Sequence, residues 1–382
     1  MNSTAQIERK ELWGHPVGLY VLFFTELWER FSYYGMRAIL VLYIVSSSNA
    51  INAGLGWDEK DALSLYGWYT MMVYVMSIPG GIVADKILGQ KKTVLVGGLL
   101  LCLGHGILAV EELWAFYTGL ALIVLGVGGL KPNISTMVGG LYRPGDLRRD
   151  QGFTIFYIGI NIGAFLSAII VGYVGEYHGW HYGFGLAGIG MFVGQIVYML
   201  GQKHLKGVGD FIGTSKTVDP AIAKRPLTKI EKDRMIVLFL SFIIIIVFWG
   251  AFEQAGGLMN IYTKNKIDRM VLGFEIPAST FQSVNAFFIM VFGLGVANFW
   301  IFWRKKGKEA SSLFKMAIGT LIMGTGFLFM AAASKEVQMS GEKAMLIWLI
   351  LAYLLHTLGE LCASPVALSF ITKLAPLKYA SI

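Results

Sequence analysis

The chain has 382 residues, of which 55% are hydrophobic and only 15% charged, whereas a soluble domain carries about 25% charged residues. Its 47 glycines suit transmembrane helices that pack closely, so the composition indicates a membrane protein. The net charge of +8 comes from basic residues in the connections between apolar segments, not from a pattern typical of nucleic-acid binding, so we expect no nucleic-acid partner.

Ten apolar segments are long enough to span a bilayer, which needs about 20 residues per helix. They predict an all-α, polytopic membrane protein. The polar, proline-containing stretch 203–234 separates six of these segments from four. We therefore predict an N-terminal six-helix bundle over 1–202, a cytoplasmic linker over 203–234 and a C-terminal four-span bundle over 235–382. The predicted spans are roughly 17–46, 62–85, 93–111, 113–140, 152–175, 182–202, 235–263, 278–303, 313–333 and 344–372.

The basic residues predict the orientation of these spans. If the N-terminus is cytoplasmic, the inside connections and tails hold 23 lysines and arginines and the outside connections hold 6. This bias favours a cytoplasmic N-terminus. The polar segment 1–15 does not resemble a cleaved signal peptide. The short connections favour a bacterial inner membrane.

The first span carries most of the charge that lies inside the predicted membrane region. At about 100° per residue its polar side chains occupy an arc of roughly 140° on one face of a helix. Ionisable groups in a span usually mark a function, so this face is expected to line a cavity. The alternative is a buried ion-pair network that only ties helices together. The residues are Glu26, Glu29, Arg30, Tyr33, Tyr34 and Arg37.

Three further ionisable residues lie in later spans. Lys131 precedes Pro132, Glu253 stands in the seventh span, and Glu360 follows His356 by one turn. Each could be a helix-end group that reaches the interface. Together with the first span they supply cations for a carboxylate and acids for an ammonium, as a zwitterionic ligand requires.

A glutamate beside a basic partner offers a physical route for coupling proton movement to the movement of a bound substrate. When the partner turns to bind a substrate carboxylate, the glutamate takes up a proton more readily. The sequence pattern Glu26, Glu29 and Arg30 motivates this hypothesis.

Other polar and aromatic residues in the spans give weaker signals. Asn161 and Asn285 are as well explained by helix–helix hydrogen bonds, and Trp249 and Tyr74 by packing. We find no nucleotide-binding loop, nucleophile motif or metal-ligand spacing. We therefore expect neither an enzyme nor a resident cofactor or metal.

Five stretches resemble one family, the proton-dependent oligopeptide transporter (POT) family of the major facilitator superfamily. Residues 26–35, E-L-W-E-R-F-S-Y-Y-G, resemble its ExxERFxYYG motif. Residues 156–163, F-Y-I-G-I-N-I-G, are similar to its FYxxINxG signature. Residues 80–93 resemble the superfamily's cytoplasmic loop motif, and 248–254 and 359–365 are also similar to the family.

The resemblance implies twelve helices in two bundles around a central cavity, working by alternating access. It implies import of di- and tripeptides, driven by protons. For proton coupling it implies Glu26, Glu29, Arg30 and Glu253. For substrate binding it implies Tyr33, Tyr34, Arg37, Tyr74, Lys131, Asn161, Trp249, Asn285 and Glu360.

Within the substrate set, the resemblance gives separate roles. Arg37 and Lys131 are implied to hold the peptide C-terminus. Asn161, Asn285 and Glu360 are implied to contact the peptide N-terminus and backbone. Glu253 is implied to pair with an arginine of the N-terminal bundle, and Glu360 similarly with Lys131.

The chain departs from the family pattern in two places. The last two family helices have no counterpart, so the C-terminal bundle is expected to be incomplete. Bacterial members usually carry two extra helices between the bundles, where this chain has a polar linker.

Three alternatives to a peptide transporter stay open. They are a proton-coupled superfamily transporter of nitrate, an amino acid or a drug, an intramembrane enzyme, and a channel or receptor.

Overall fold

The structure is a computed structural model that describes residues 9–143, 145–211 and 228–374, without the side chains of Glu231 and 365–374. It divides into two compact units, Met1–Thr214 and Ser215–Ile382. The division falls inside the predicted linker 203–234, of which 212–227 lie outside the described residues. The predicted bundle and linker boundaries stay predictions.

The first unit is built from helices that we number in chain order. A π-helical turn, Ala84–Leu88, follows α3, and a 3₁₀ turn, Gln202–His204, follows α7. The helices are α1 Val17–Val45, α2 Glu59–Val75, α3 Ser77–Val83, α4 Gln90–Leu108, α5 Leu113–Gly140, α6 Arg148–Tyr177 and α7 Trp180–Gly201.

The second unit has five described helices and two 3₁₀ turns, Glu253–Ala255 and Ala278–Gln282. The helices are α8 Lys229–Phe252, α9 Leu258–Lys266, α10 Ser283–Lys305, α11 Ser312–Ser340 and α12 Leu346–Leu374.

Each unit also has one antiparallel hairpin with a two-residue turn. In the first, β1 Glu11–Leu12 pairs with β2 His15–Pro16. In the second, β3 Met270–Val271 pairs with β4 Phe274–Glu275.

Nine helical stretches of the described chain are long and apolar enough to cross a membrane. The first predicted span, α1, has the length of a span at 29 residues, but its four ionisable residues set it apart from these nine. The predicted all-α, polytopic membrane fold is confirmed.

Two of the predicted spans contain a break in the helix. The span 62–85 breaks at Met76 between α2 and α3, because Pro79 has no N–H to donate to the Val75 carbonyl. The span 235–263 begins six residues earlier, at Lys229, and breaks after Phe252, where Gly257 leaves helical geometry at φ −103° and ψ −108°.

Glycines allow close crossings beside the candidate site in both units. A Cβ on Gly80 of α3 would overlap the Gly128 carbonyl of α5. Pro132 cannot donate to that same carbonyl, so α5 is free to present it to α3. In the second unit, a Cβ on Gly319 of α11 would lie 2.6 Å from the Gly359 carbonyl oxygen of α12.

Candidate functional site

A buried cluster of three charges lies on α1. Glu26, Glu29 and Arg30 are each at most 3% exposed. The Arg30 Nε atom lies 3.0 Å from Glu26 Oε1, and Arg30 also pairs with Glu29. The spacing of three and four residues places all three side chains on one face of the helix. One arginine is therefore shared by two carboxylates, out of contact with water.

Two tyrosines and a second arginine extend this cluster along α1. The Arg30 guanidinium lies 5.7 Å from the centre of the Tyr33 ring and 5.8 Å from that of Tyr34. The guanidinium of Arg37, one turn further on, lies 4.9 Å from the Tyr34 ring centre. Tyr34 therefore lies between two guanidinium groups, an arrangement that cation–π attraction stabilises. The predicted polar face of α1 is a continuous set of contacts.

Lys131 brings a third cation to the cluster from α5. It attracts the carboxylates of both Glu26 and Glu29 electrostatically, and its Nζ atom lies 4.5 Å from the centre of the Tyr74 ring on α2. The neighbouring Asn133 Nδ2 donates to the Gly129 carbonyl at 2.7 Å. Together with Pro132, this side-chain bond alters the hydrogen bonding of α5 at the turn that carries Lys131.

Sequence analysis missed Tyr69 of α2. Its side chain is buried near Tyr33 and Arg37, with which it interacts electrostatically. Its hydroxyl has no hydrogen-bond partner among the described residues. The available signal was its position five residues before Tyr74 in the same predicted span.

Asn161 of α6 is buried, and its Nδ2 donates to the Tyr157 carbonyl of the same helix at 2.9 Å. This bond occupies one of its two amide protons. The substrate contact implied for Asn161 stays a prediction.

In the second unit, α10 and α12 bring together two predicted site residues. The Asn285 Nδ2 atom donates to Glu360 Oε2 at 2.8 Å and lies 3.0 Å from Thr357 Oγ1. Glu360 and Thr357 are both buried. Thr357 was not predicted, although it stands three residues before Glu360 and so shares its helix face. The sequence pattern does not show which hydroxyl side chain the Asn285 amide, 72 residues away in the chain, will contact.

Trp249 and Glu253 lie at the end of α8. The Trp249 ring packs edge-on against Phe248 and Phe252, with centroid distances of 5.5 Å and 5.2 Å. Glu253 is half-buried and opens the 3₁₀ turn that follows. Their position four residues apart places them on one side of the chain at this break.

The structure thus groups the predicted residues within each unit. Nothing in it tests the roles of these residues. The implied partners of Glu253 and Glu360 across the two bundles also stay predictions. In the described part of the chain, no three His, Cys, Asp or Glu side chains are placed to hold a metal ion.

Comparisons with known proteins identify the family. A model of the POT family matches residues 91–225 and 213–382. The chain is 37% identical to the uncharacterized transporter YclF of Bacillus subtilis, over 98% of this chain and 85% of that protein. It is 34% identical to the peptide transporter YePEPT of Yersinia enterocolitica, over 96% of this chain and 83% of that protein. It is 36% identical to the di-/tripeptide transporter of Lactococcus lactis subsp. cremoris, over 97% of this chain and 86% of that protein.

Solved structures give the same result. A crystal structure of peptide transporter POT in complex with sulfate matches with a TM-score of 0.90 and 36% identity, over 99% of this chain and 86% of that one. A POT family transporter in complex with 5-aminolevulinic acid matches with a TM-score of 0.86 and 32% identity, over 97% and 87%. The resemblance on the motifs is confirmed: this integral membrane protein belongs to the POT family of transporters.

Proposed function

We propose that this chain is a proton-coupled symporter that imports di- and tripeptides by alternating access. The observation that carries the proposal is the buried pair of carboxylates, Glu26 and Glu29, that share Arg30 and attract Lys131. Relatives with 34% and 36% identity carry the names peptide transporter and di-/tripeptide transporter, which supports the choice of cargo. We place the protein in a bacterial inner membrane with the N-terminus in the cytoplasm, as the distribution of basic residues favours.

The coupling step follows from competition for cations. Without substrate, Arg30 and Lys131 both stabilise the ionised forms of Glu26 and Glu29. When Lys131 turns to a peptide carboxylate, the two glutamates lose one of their cations. A buried carboxylate that loses a cation binds a proton more readily. Peptide and proton therefore bind more favourably together than either does alone.

The remaining residues supply the other contacts of the peptide. Arg37 joins Lys131 as a cation for the C-terminal carboxylate, and Asn161, Asn285 and Glu360 contact the N-terminus and backbone. The walls are formed by Tyr33, Tyr34, Tyr74 and Trp249. Glu253, at the break after α8, takes part in closing the site and in proton movement. Transport driven in this way needs no enzymatic step and no cofactor.

Reconstitution into liposomes tests this proposal. Labelled dialanine should accumulate inside above its external concentration when an inward proton gradient is imposed, and should only equilibrate without the gradient. An unlabelled dipeptide should compete for this uptake, whereas free alanine should not. Uptake that is indifferent to the proton gradient would contradict the coupling.

A second cargo is favoured by one solved relative. That POT family transporter was crystallised in complex with 5-aminolevulinic acid, which carries an amine and a carboxylate but no peptide bond. If labelled 5-aminolevulinic acid, nitrate or a drug accumulates under the proton gradient and labelled dialanine does not, the cargo is another small solute.

A further inference from the structure

The connection between α10 and α11 carries a basic patch that is not neutralised within the described chain. Its only acid, Glu309, accepts a hydrogen bond from the Ser311 backbone N–H at 2.6 Å. Among the described residues, none of the patch cations forms an ion pair. The 304–315 patch consists of Arg304, Lys305, Lys306, Lys308 and Lys315.

Two basic side chains in the first turns of helices of the first unit pair with acids of that unit. Arg148 lies 2.9 Å from Glu11 and also 2.9 Å from Asp146. Lys91 lies 3.7 Å from Asp210. The cations of the 304–315 patch have no such acid partner among the described residues, so they are available to an anion from outside the described chain.

Aromatic rings fix the patch at the end of a span. The Nζ atoms of Lys306 and Lys308 lie 4.4 Å and 4.2 Å from the ring centres of Phe302 and Trp303. The Nζ atom of Lys315, in the first turn of α11, lies 5.0 Å from the Trp300 ring centre. Tryptophans with adjacent lysines are typical of the boundary between lipid tails and headgroups. At that depth, the counterion that a membrane supplies is the phosphate of a lipid headgroup.

We propose that the 304–315 patch binds anionic phospholipids through their headgroup phosphates. A basic segment beside a span gains about fivefold in apparent affinity for an anionic surface per lysine. The rings hold three ammonium groups in place before a lipid arrives, which lowers the entropy lost on binding. This interaction is independent of the transported substrate.

Lipid binding to the purified chain tests the proposal, with phosphatidylglycerol as the anionic probe and phosphatidylcholine as the zwitterionic one. Retained lipids are counted by native mass spectrometry as each lipid is titrated. The test variant combines Lys306→Gln, Lys308→Gln and Lys315→Gln. The matched control combines Lys60→Gln, Lys335→Gln and Lys343→Gln, which removes the same charge from exposed lysines that the predicted topology places at the outer ends of the spans.

The test variant should bind phosphatidylglycerol at least tenfold more weakly than the unmodified chain, while the control keeps its affinity and phosphatidylcholine binding changes in neither. Replacing the same three lysines by arginine should preserve binding. Equal phosphatidylglycerol binding by test variant and unmodified chain would overturn the proposal, as would an equal loss in the control.

Should the glutamine variant fail to fold, ionic strength tests the same claim in the unmodified chain. Phosphatidylglycerol retention should then fall as salt is raised, because salt screens exposed charges. Retention that is independent of salt would overturn the proposal.

Discussion

The two units hold their buried carboxylates in different ways. In the first, Glu26 and Glu29 contact Arg30 within little more than one turn of α1. In the second, Glu360 accepts from the Asn285 amide, which comes from another helix and lies 75 residues away in the chain. The first arrangement is fixed by one helix, whereas the second depends on the packing of two.

This difference indicates whether each group of carboxylates responds to a change in charge or to a movement of helices. A charge shared between acids on one helix changes when a competing anion or proton arrives, with no need for helices to move. A hydrogen bond between helices changes when those helices shift. For the proposed coupling, we therefore expect the α1 cluster to respond to charge directly, and the Asn285–Glu360 contact to respond to a shift of α10 relative to α12.

The largest loss of folding stability is expected from Arg30→Leu. It leaves two buried carboxylates without their shared cation, and the loss of one partner of a buried pair typically costs about 3–5 kcal/mol. The thermal unfolding midpoint should fall far more than for Arg143→Leu, which removes an exposed arginine. Adding Glu26→Gln and Glu29→Gln should recover part of the loss. Equal midpoints for the two single variants would contradict the buried triad.

A smaller loss of folding stability is expected from Asn285→Leu in the second unit. A hydrogen bond to a charged group contributes about 1.5–3 kcal/mol, and this change removes one from Glu360. Dipeptide uptake should fall with stability. Asn298→Leu, at an exposed position of the same helix, is the control and should change neither. If Asn285→Leu left stability and uptake as unchanged as the control does, the contact between α10 and α12 would contribute to neither.

Gly80→Ala tests the helix crossing that positions Lys131. Its Cβ would overlap the Gly128 carbonyl, and such overpacking typically costs about 1–3 kcal/mol. Gly81→Ala is a control one residue away, where a Cβ would have nothing within 4 Å. Unfolding midpoints of the two variants should differ, and uptake should fall only for Gly80→Ala. A tolerated Gly80→Ala would mean that α3 and α5 cross at a greater distance.

The smallest effect is expected from Asp146→Asn, in the connection between α5 and α6. Hydrogen bonds from the Arg148 side chain and backbone N–H lower the pKa of the Asp146 carboxyl. A lowered folded pKa contributes stability that is present above the unfolded value, about 3.9, and lost as pH falls through the folded value. The unfolding midpoint of the unmodified chain should exceed that of Asp146→Asn slightly at neutral pH, and the gap should close below about pH 4. A gap that widens in acid would contradict the assignment.

Residue types and spacing were enough to predict the spans and the polar face of α1. The predicted span 113–140 coincides with α5, Leu113–Gly140, since nearly all residues up to Leu130 are apolar or glycine. The contacts of Glu26, Glu29 and Arg30 were predictable because residues three and four apart meet on a helix.

Features that depend on tertiary contacts could not be predicted in this way. The breaks after Val75 and Phe252 fall inside apolar runs that hydrophobicity alone cannot divide. The contact of Thr357 with Asn285 joins two helices whose relative position is set by packing. The burial of Tyr69 depends on how α2 lies on α1.

Glu29→Gln gives the most direct test of proton coupling by the α1 cluster. Two assays of labelled dialanine are compared in proteoliposomes: accumulation driven by an inward proton gradient, and counterflow exchange without a gradient. The variant should lose gradient-driven accumulation and keep counterflow, whereas Glu112→Gln, at an exposed position, should keep both. Undiminished proton-driven accumulation by Glu29→Gln would contradict the account.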